Sequence, residues 1–81
     1  MDRYYVQRTG GNYLVRELQK PGDTPSANDL LIRSFGGRNG QEDAHAYARS
    51  VNAVQRQLDA MHGQWVKHAV FPAEESQAQP S

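Results

Sequence analysis

The stretch RYYVQRTGGNYLVREL, residues 3–18, decides the fold. Two runs rich in Tyr, Val and Leu flank Gly10-Gly11. A Gly-Gly pair supplies the positive φ angles that a two-residue primed turn needs, so the stretch predicts a β-hairpin. With those glycines as the turn, Arg8 pairs with Tyr13, Val6 with Val15 and Tyr4 with Glu17. Alternation along each strand gathers Tyr4, Val6, Tyr13 and Val15 on one face, the expected core. The other face receives Tyr5, Gln7, Leu14, Arg16 and Leu18.

Beyond the hairpin, residues 19–28 (QKPGDTPSAN) hold two prolines and a Pro-Gly pair. This is a loop, long for a link between neighbouring strands, and loops of this kind often carry function. Residues 29–35 (DLLIRSF) predict a third strand, with Leu30 and Ile32 facing one way and Leu31, Arg33 and Phe35 the other. A bulge near Ser34 would turn Phe35 inward beside Leu30 and Ile32. The glycines in GGRNG (residues 36–40) break the strand. Asn39, three residues before Glu42, predicts an N-cap with a capping box, and Glu42 and Asp43 suit the positive end of a helix dipole.

A helix follows. Ala44, Tyr47, Val51, Val54, Leu58, Met61 and Trp65 recur at alternating steps of three and four. His45, Arg49, Asn52, Arg56 and Asp59 occupy the other face, and Gly63 is placed to end the helix in a left-handed conformation. Residues 64–71 (QWVKHAVF) are apolar and admit three readings: a fourth strand, a short second helix, or more of the first. Residues 72–81 (PAEESQAQPS) lack any large apolar side chain and predict a disordered tail. The expected fold is α+β: a small antiparallel sheet of three or four strands packed against one long helix, in a single domain over residues 1–71.

Composition narrows the function. The chain has 81 residues, which allows one domain with a thin core. There is no cysteine, which excludes a disulfide framework and a thiolate zinc site. The longest apolar run is three residues, so no membrane partner is expected. Nine basic and nine acidic groups cancel, which argues against a protein that grips nucleic acid by bulk charge. The zero is a sum of unlike halves, however. Residues 1–38 hold six basic and four acidic groups, a net of +2, and residues 39–81 hold three and five, a net of −2.

Catalytic signatures are scarce. His45, His62 and His68 match neither HExxH nor a pair four apart on one helix face. Ser26, Ser34 and Ser50 lack a nucleophile-elbow context. Gly36, Gly37 and Gly40 lie between strand and helix, but no Gly-Lys-Ser/Thr follows them, and they read as turn residues. The expectation is no enzyme, no metal and no cofactor.

Geometry points instead to binding. A helix from Gln41 to His62 would be about 33 Å long, whereas strands of six or seven residues reach about 20–23 Å. The helix should therefore overhang the sheet, leaving Val54, Leu58, Met61 and Trp65 to be covered by residues 64–71, a second copy or a target. If one helix covers one sheet face, Tyr5, Leu14, Arg16, Leu31 and Arg33 share the other with Leu18. Aromatic and Arg side chains among aliphatic ones match the composition of binding hot spots. Residues 64–71 covering this face, or an ordinary solvated surface, are the plainer alternatives.

The order β-β-β-α, with RTGGNYLVRE before RSFGGRNGQEDAHAYAR, resembles the AP2 and integrase arm-type DNA-binding domains. The matching positions are Tyr13 with Arg16, Ser34 with Phe35, and Ala44, Tyr47 and Ala48 at the helix start, within residues 3–54. The resemblance implies a three-stranded sheet entering the major groove of duplex DNA with a helix bracing its back. It also implies that Arg8, Arg16 and Arg33 are base or phosphate contacts, with Arg38 a further basic group in the same half. In kind rather than motif, the chain also resembles small phage-encoded accessory proteins such as anti-CRISPR inhibitors. These occupy a surface on a larger bacterial protein or ribonucleoprotein complex in the host cytoplasm. The leading expectation is therefore a non-enzymatic inhibitor or adaptor acting by steric protein–protein contact, possible as a homodimer through the helix end. DNA binding through the sheet is the alternative.

Overall fold

A computed structural model describes residues 2–69; the expected tail, residues 72–81, lies outside the described residues. Three strands precede one helix: β1 (Tyr4–Thr9), β2 (Asn12–Glu17), β3 (Leu30–Phe35) and α1 (Gly40–His62). The sheet is antiparallel in the order β1-β2-β3, and α1 packs across one face of it. Among the described residues there is no fourth strand; a turn at Gly63 ends the helix, and residues 64–69 follow as bends and irregular chain.

The hairpin register is the one its turn demands: Tyr4 opposite Glu17, Val6 opposite Val15, Arg8 opposite Tyr13. Of the two turn glycines only Gly10 has a positive φ, 58°. That is the backbone of a type II′ turn, whose second glycine needs no special freedom.

The core is small. Tyr4, Val15, Ile32, Ala44, Ala48 and Val51 are buried together, with Val6, Tyr13, Leu30, Phe35 and Tyr47 packed around them. Alanines at 44 and 48 let the helix sit low on the pleat, and Val15 beneath them is wholly buried.

The bulge lies in β3, but not at Ser34. Val15 pairs with Arg33, while the next β2 residue, Arg16, pairs with Leu31. Ile32 is therefore the extra residue. A bulge sets two consecutive side chains on nearly the same side. Ile32 enters the core, 3 % exposed, and Arg33 follows it to the helix side. There its guanidinium lies 5.2 Å from the Phe35 ring centroid and 5.3 Å from that of Tyr47. Phe35 turns inward, as a bulge was expected to make it, but Arg33 leaves the face on which alternation had placed it.

The helix departs from expectation in three ways. Asn39 stands at its N-cap, but the side chain makes no capping hydrogen bond, so the capping box with Glu42 does not form. The buried stripe runs through Ala44, Ala48, Val51, Asn52 and Gln55, so after Val51 it follows polar residues rather than Val54 and Met61, which are 51 % and 74 % exposed. Asn52 and Asp59, expected on the solvent side, are inner residues instead: Asn52 is buried and Asp59 half-buried. Trp65 is not on the helix, because Gly63 ends it with φ 70°, as its position foretold. Asp59 O then accepts from the N–H of Gly63 and, at 3.2 Å, from that of Gln64. The bond from Gln64 is the 6→1 bond of a Schellman closure, and the bond from Gly63 is the 5→1 bond of the αL cap.

Past that closure the chain folds back along the helix, over Gln55 and Asp59 rather than over Leu58 and Met61. Val66 N–H donates to Asp59 Oδ1 at 3.0 Å and Ala69 N–H to Gln55 Oε1 at 2.6 Å. The polar face wins because the returning segment presents backbone groups that need partners.

Candidate functional site

The face of the sheet away from α1 carries Tyr5 and Gln7 from β1, Leu14 and Arg16 from β2, and Leu31 from β3, with Leu14 opposite Ser34. The structure thus brings four of the five expected partner-binding residues together. It removes Arg33, which the bulge carries to the helix side. Leu18 is buried and offers almost no exposed surface. It lies just beyond β2, 2 % exposed, beside a concavity of about 380 Å³ lined by Arg3, Glu17, Trp65 and His68.

The open face is partly roofed. The loop after β2 returns over it, and one carboxylate anchors that return. Asp29, 4 % exposed, accepts at Oδ2 from the Tyr5 hydroxyl at 2.5 Å and from the Ser26 N–H at 2.9 Å. Arg16 donates through Nη2 to the carbonyls of Asp29 (2.6 Å) and Ala27 (2.9 Å), and through Nη1 to Gln7 Oε1 at 3.2 Å. Burial, the hydrogen bond to Asp29 and its negative charge push the Tyr5 phenol up to about 12. The phenol is thus held as a donor throughout the physiological range. Between this loop and β1 runs a groove of about 420 Å³, lined by Tyr5, Val6, Gln7, Pro25, Ser26 and Ala27. The contributions of Asp29, Gln7 and the loop carbonyls went unread in the sequence. The length of the loop was the available signal.

The basic residues of the DNA reading do not share a surface. Arg16 is on the open face, with its fork bound to loop carbonyls. Arg8 is exposed at the hairpin end on the core side of β1, its guanidinium 6.0 Å from the Tyr13 ring centroid. Arg33 lies over Phe35 and Tyr47. Arg38 stands in the turn before the helix, beside Asn39, Gln41, Glu42 and His45.

The helix-end set is also divided. Val54 and Met61 are exposed and Leu58 half-buried on one flank of α1. Trp65 lies elsewhere, with the Arg3 guanidinium 4.6 Å from its ring centroid.

That arginine organises the second polar cluster. Arg3 is ion-paired with Glu17, lies 3.2 Å from Asp59 Oδ1 and donates to Val66 O at 2.8 Å. His68 Nδ1 lies 2.8 Å from the other Glu17 oxygen, off the line of an N–H bond. The Gln55 amide donates to Asp59 Oδ1 at 3.0 Å and to Lys67 O at 3.2 Å. Burial raises the Asp59 carboxyl, but the Gln55 amide, the Val66 N–H and Arg3 outweigh it and hold the group below its ordinary range. The cluster ties the first strand, the helix and the returning chain into one clamp. Among the described residues no group of three His, Cys, Asp or Glu side chains is arranged to hold a metal ion. No helix of the described residues is long and apolar enough to cross a membrane.

Comparison with protein-family models, curated proteins and solved structures finds no match to this chain.

Proposed function

We propose that this chain is a non-enzymatic binding protein that works by protein–protein contact. We read it as an inhibitor or adaptor of the anti-CRISPR kind, encoded by a phage or mobile element. It would cover a functional surface of a larger protein or ribonucleoprotein complex in the cytoplasm of a bacterial host, without covalent change. The observation that carries this reading is the preorganised open face. Tyr5, Leu14 and Leu31 stand on a sheet whose loop is already fixed by Asp29 and Arg16. A surface whose backbone is fixed loses little entropy when a partner seats on it. Apolar and aromatic side chains supply the contact energy.

The DNA reading is weaker, because it needs Arg8, Arg16 and Arg33 on one face of the sheet, and they are split between two.

A benzophenone cross-linker at residue 14 tests the proposal in bacterial lysate. The expected result is one defined protein adduct, lost when Leu31→Asp is added and kept when Met61→Asp is added. Adducts indifferent to Leu31→Asp overturn the reading. So does tight duplex DNA binding that falls steeply with salt and is lost in an Arg16→Ala, Arg33→Ala double variant.

A further inference from the structure

In an antiparallel ladder, residues alternate between those whose N–H and C=O face the partner strand and those whose groups face away. The phase in β1 is fixed from both sides. Leu18 N–H donates to Arg3 O at 2.9 Å, so Arg3, and with it Tyr5, Gln7 and Thr9, faces β2. Tyr4 faces outward, and its N–H and C=O are both taken by the Asn52 carboxamide, at 2.9 and 3.0 Å. Val6 and Arg8 therefore turn their backbone groups outward too. Among the described residues no hydrogen bond reaches them there. The helix plugs the edge at Tyr4 and leaves it open at Val6–Arg8.

Two further features describe what fits. The groove of about 420 Å³ between β1 and Pro25–Ala27 adjoins this edge on the open side, where the side chains of an added strand would enter at alternate positions. On the opposite side the strand would meet Val6 and Arg8, and Arg8 is exposed. A second copy pairing antiparallel about Gln7 would bring its own Arg8 to roughly 8 Å from this one on the same side, given ordinary strand spacing and rise. Like charges disfavour that pairing. A foreign strand can set an acid opposite Arg8 instead.

We propose that the β1 edge at Val6–Arg8 takes an extended peptide of another protein as a fourth strand. The peptide is apolar at the alternate positions that enter the groove and acidic opposite Arg8. This rests on the reading of the chain as a protein-binding module and names the form its partner presents.

The test pans a random dodecapeptide display library against the full chain. Enriched peptides alternate apolar and acidic residues, and binding slows amide exchange at Val6 and Arg8 in the unmodified protein. Arg8→Pro weakens binding about tenfold or more, as the loss of a main-chain donor and the misfit of the ring require. It leaves the fold intact, because that N–H faces outward, whereas Gln7→Pro breaks the ladder and unfolds the hairpin.

Peptides that bind Arg8→Pro equally, unchanged exchange at Val6 and Arg8, or failure to enrich alternating sequences overturns the proposal. A concentration-dependent dimer with those two amides protected overturns it in favour of a second copy. Peptides that lose affinity for Leu31→Asp but not for Arg8→Pro sink the edge and leave the open-face reading standing. Edge binding without a cross-link from residue 14 does the reverse.

Discussion

Asn52 acts as a one-residue strand for Tyr4. Its carboxamide accepts the Tyr4 N–H at 2.9 Å and donates to the Tyr4 carbonyl at 3.0 Å, so a helix side chain completes the ladder where the sheet would otherwise end in a buried, unpaired edge. Asn52 is 7 % exposed and Tyr4 2 %, so water cannot substitute.

Replacing Asn52 with Leu keeps the branching of the side chain, though not its volume, and strands two buried backbone groups. Each costs about 1–3 kcal/mol when left unmade, so Asn52→Leu should lose about 2–6 kcal/mol in urea denaturation. A loss below about 0.5 kcal/mol, the ordinary range of a surface substitution, would show that Asn52 does not hold the edge.

How much of this was legible follows from how local each cause is. The hairpin register needs only Gly10, Gly11 and the flanking alternation, and Gly63 announced its own left-handed turn; both are as expected. Arg33 was misplaced because which β3 residue is squeezed out opposite Val15 depends on how the sheet meets the helix, which no period-2 pattern encodes. Helical periodicity ranks positions by apolarity, so it sets Asn52 and Asp59 on the solvent side and passes over Gln55. Their burial depends on the β1 edge and on the returning chain at Val66 and Ala69, both remote in sequence. The candidate face was found from Tyr5, Leu14, Arg16 and Leu31. The loop that shapes it was not, because Asp29 looks like any strand-flanking acid until Tyr5 reaches it.

At Gly63 a methyl group would meet no atom within 4 Å, so the effect of a substitution there is purely conformational. With φ at 70°, Gly63→Ala should cost about 1 kcal/mol in thermal denaturation and leave binding unchanged. No change in midpoint would mean that the Schellman closure contributes nothing.

The Asp29 anchor predicts a graded series. Tyr5→Phe removes one donor and should cost about 1 kcal/mol, leaving the loop in place through Ser26 and Arg16. Asp29→Ala removes the shared acceptor and should cost about 2 kcal/mol or more. Hydrogen exchange should show residues 26–28 opening in Asp29→Ala and only slightly in Tyr5→Phe. Equal exchange in both variants would mean that Asp29 does not organise the loop.

The titrating groups set the two ends of the stability profile. Asp59 is held below its ordinary range in the folded state, so its contribution is present above the unfolded carboxylate value and is lost as pH falls through the lower folded one. Asp59→Asn should therefore be less stable near neutrality and lose less on acidification below about pH 4. At the other end, burial and the nearby Glu17 charge push the Tyr4 phenol up to about 12. A raised value means that the folded state keeps its proton longer than the unfolded chain does. The contribution is then whole below about pH 10, the unfolded value, and is lost as pH rises through 12. Tyr4→Phe retains the ring in the core and gives up only a 3.3 Å hydroxyl contact with Gln55, so it should cost about 1 kcal/mol near neutrality. Above pH 10 it should reduce the alkaline decline expected of the parent protein, the remainder belonging to Tyr5, whose phenol is also raised to about 12. Parallel declines in parent and variant, followed by circular dichroism, would show that Tyr4 does not govern the alkaline limit.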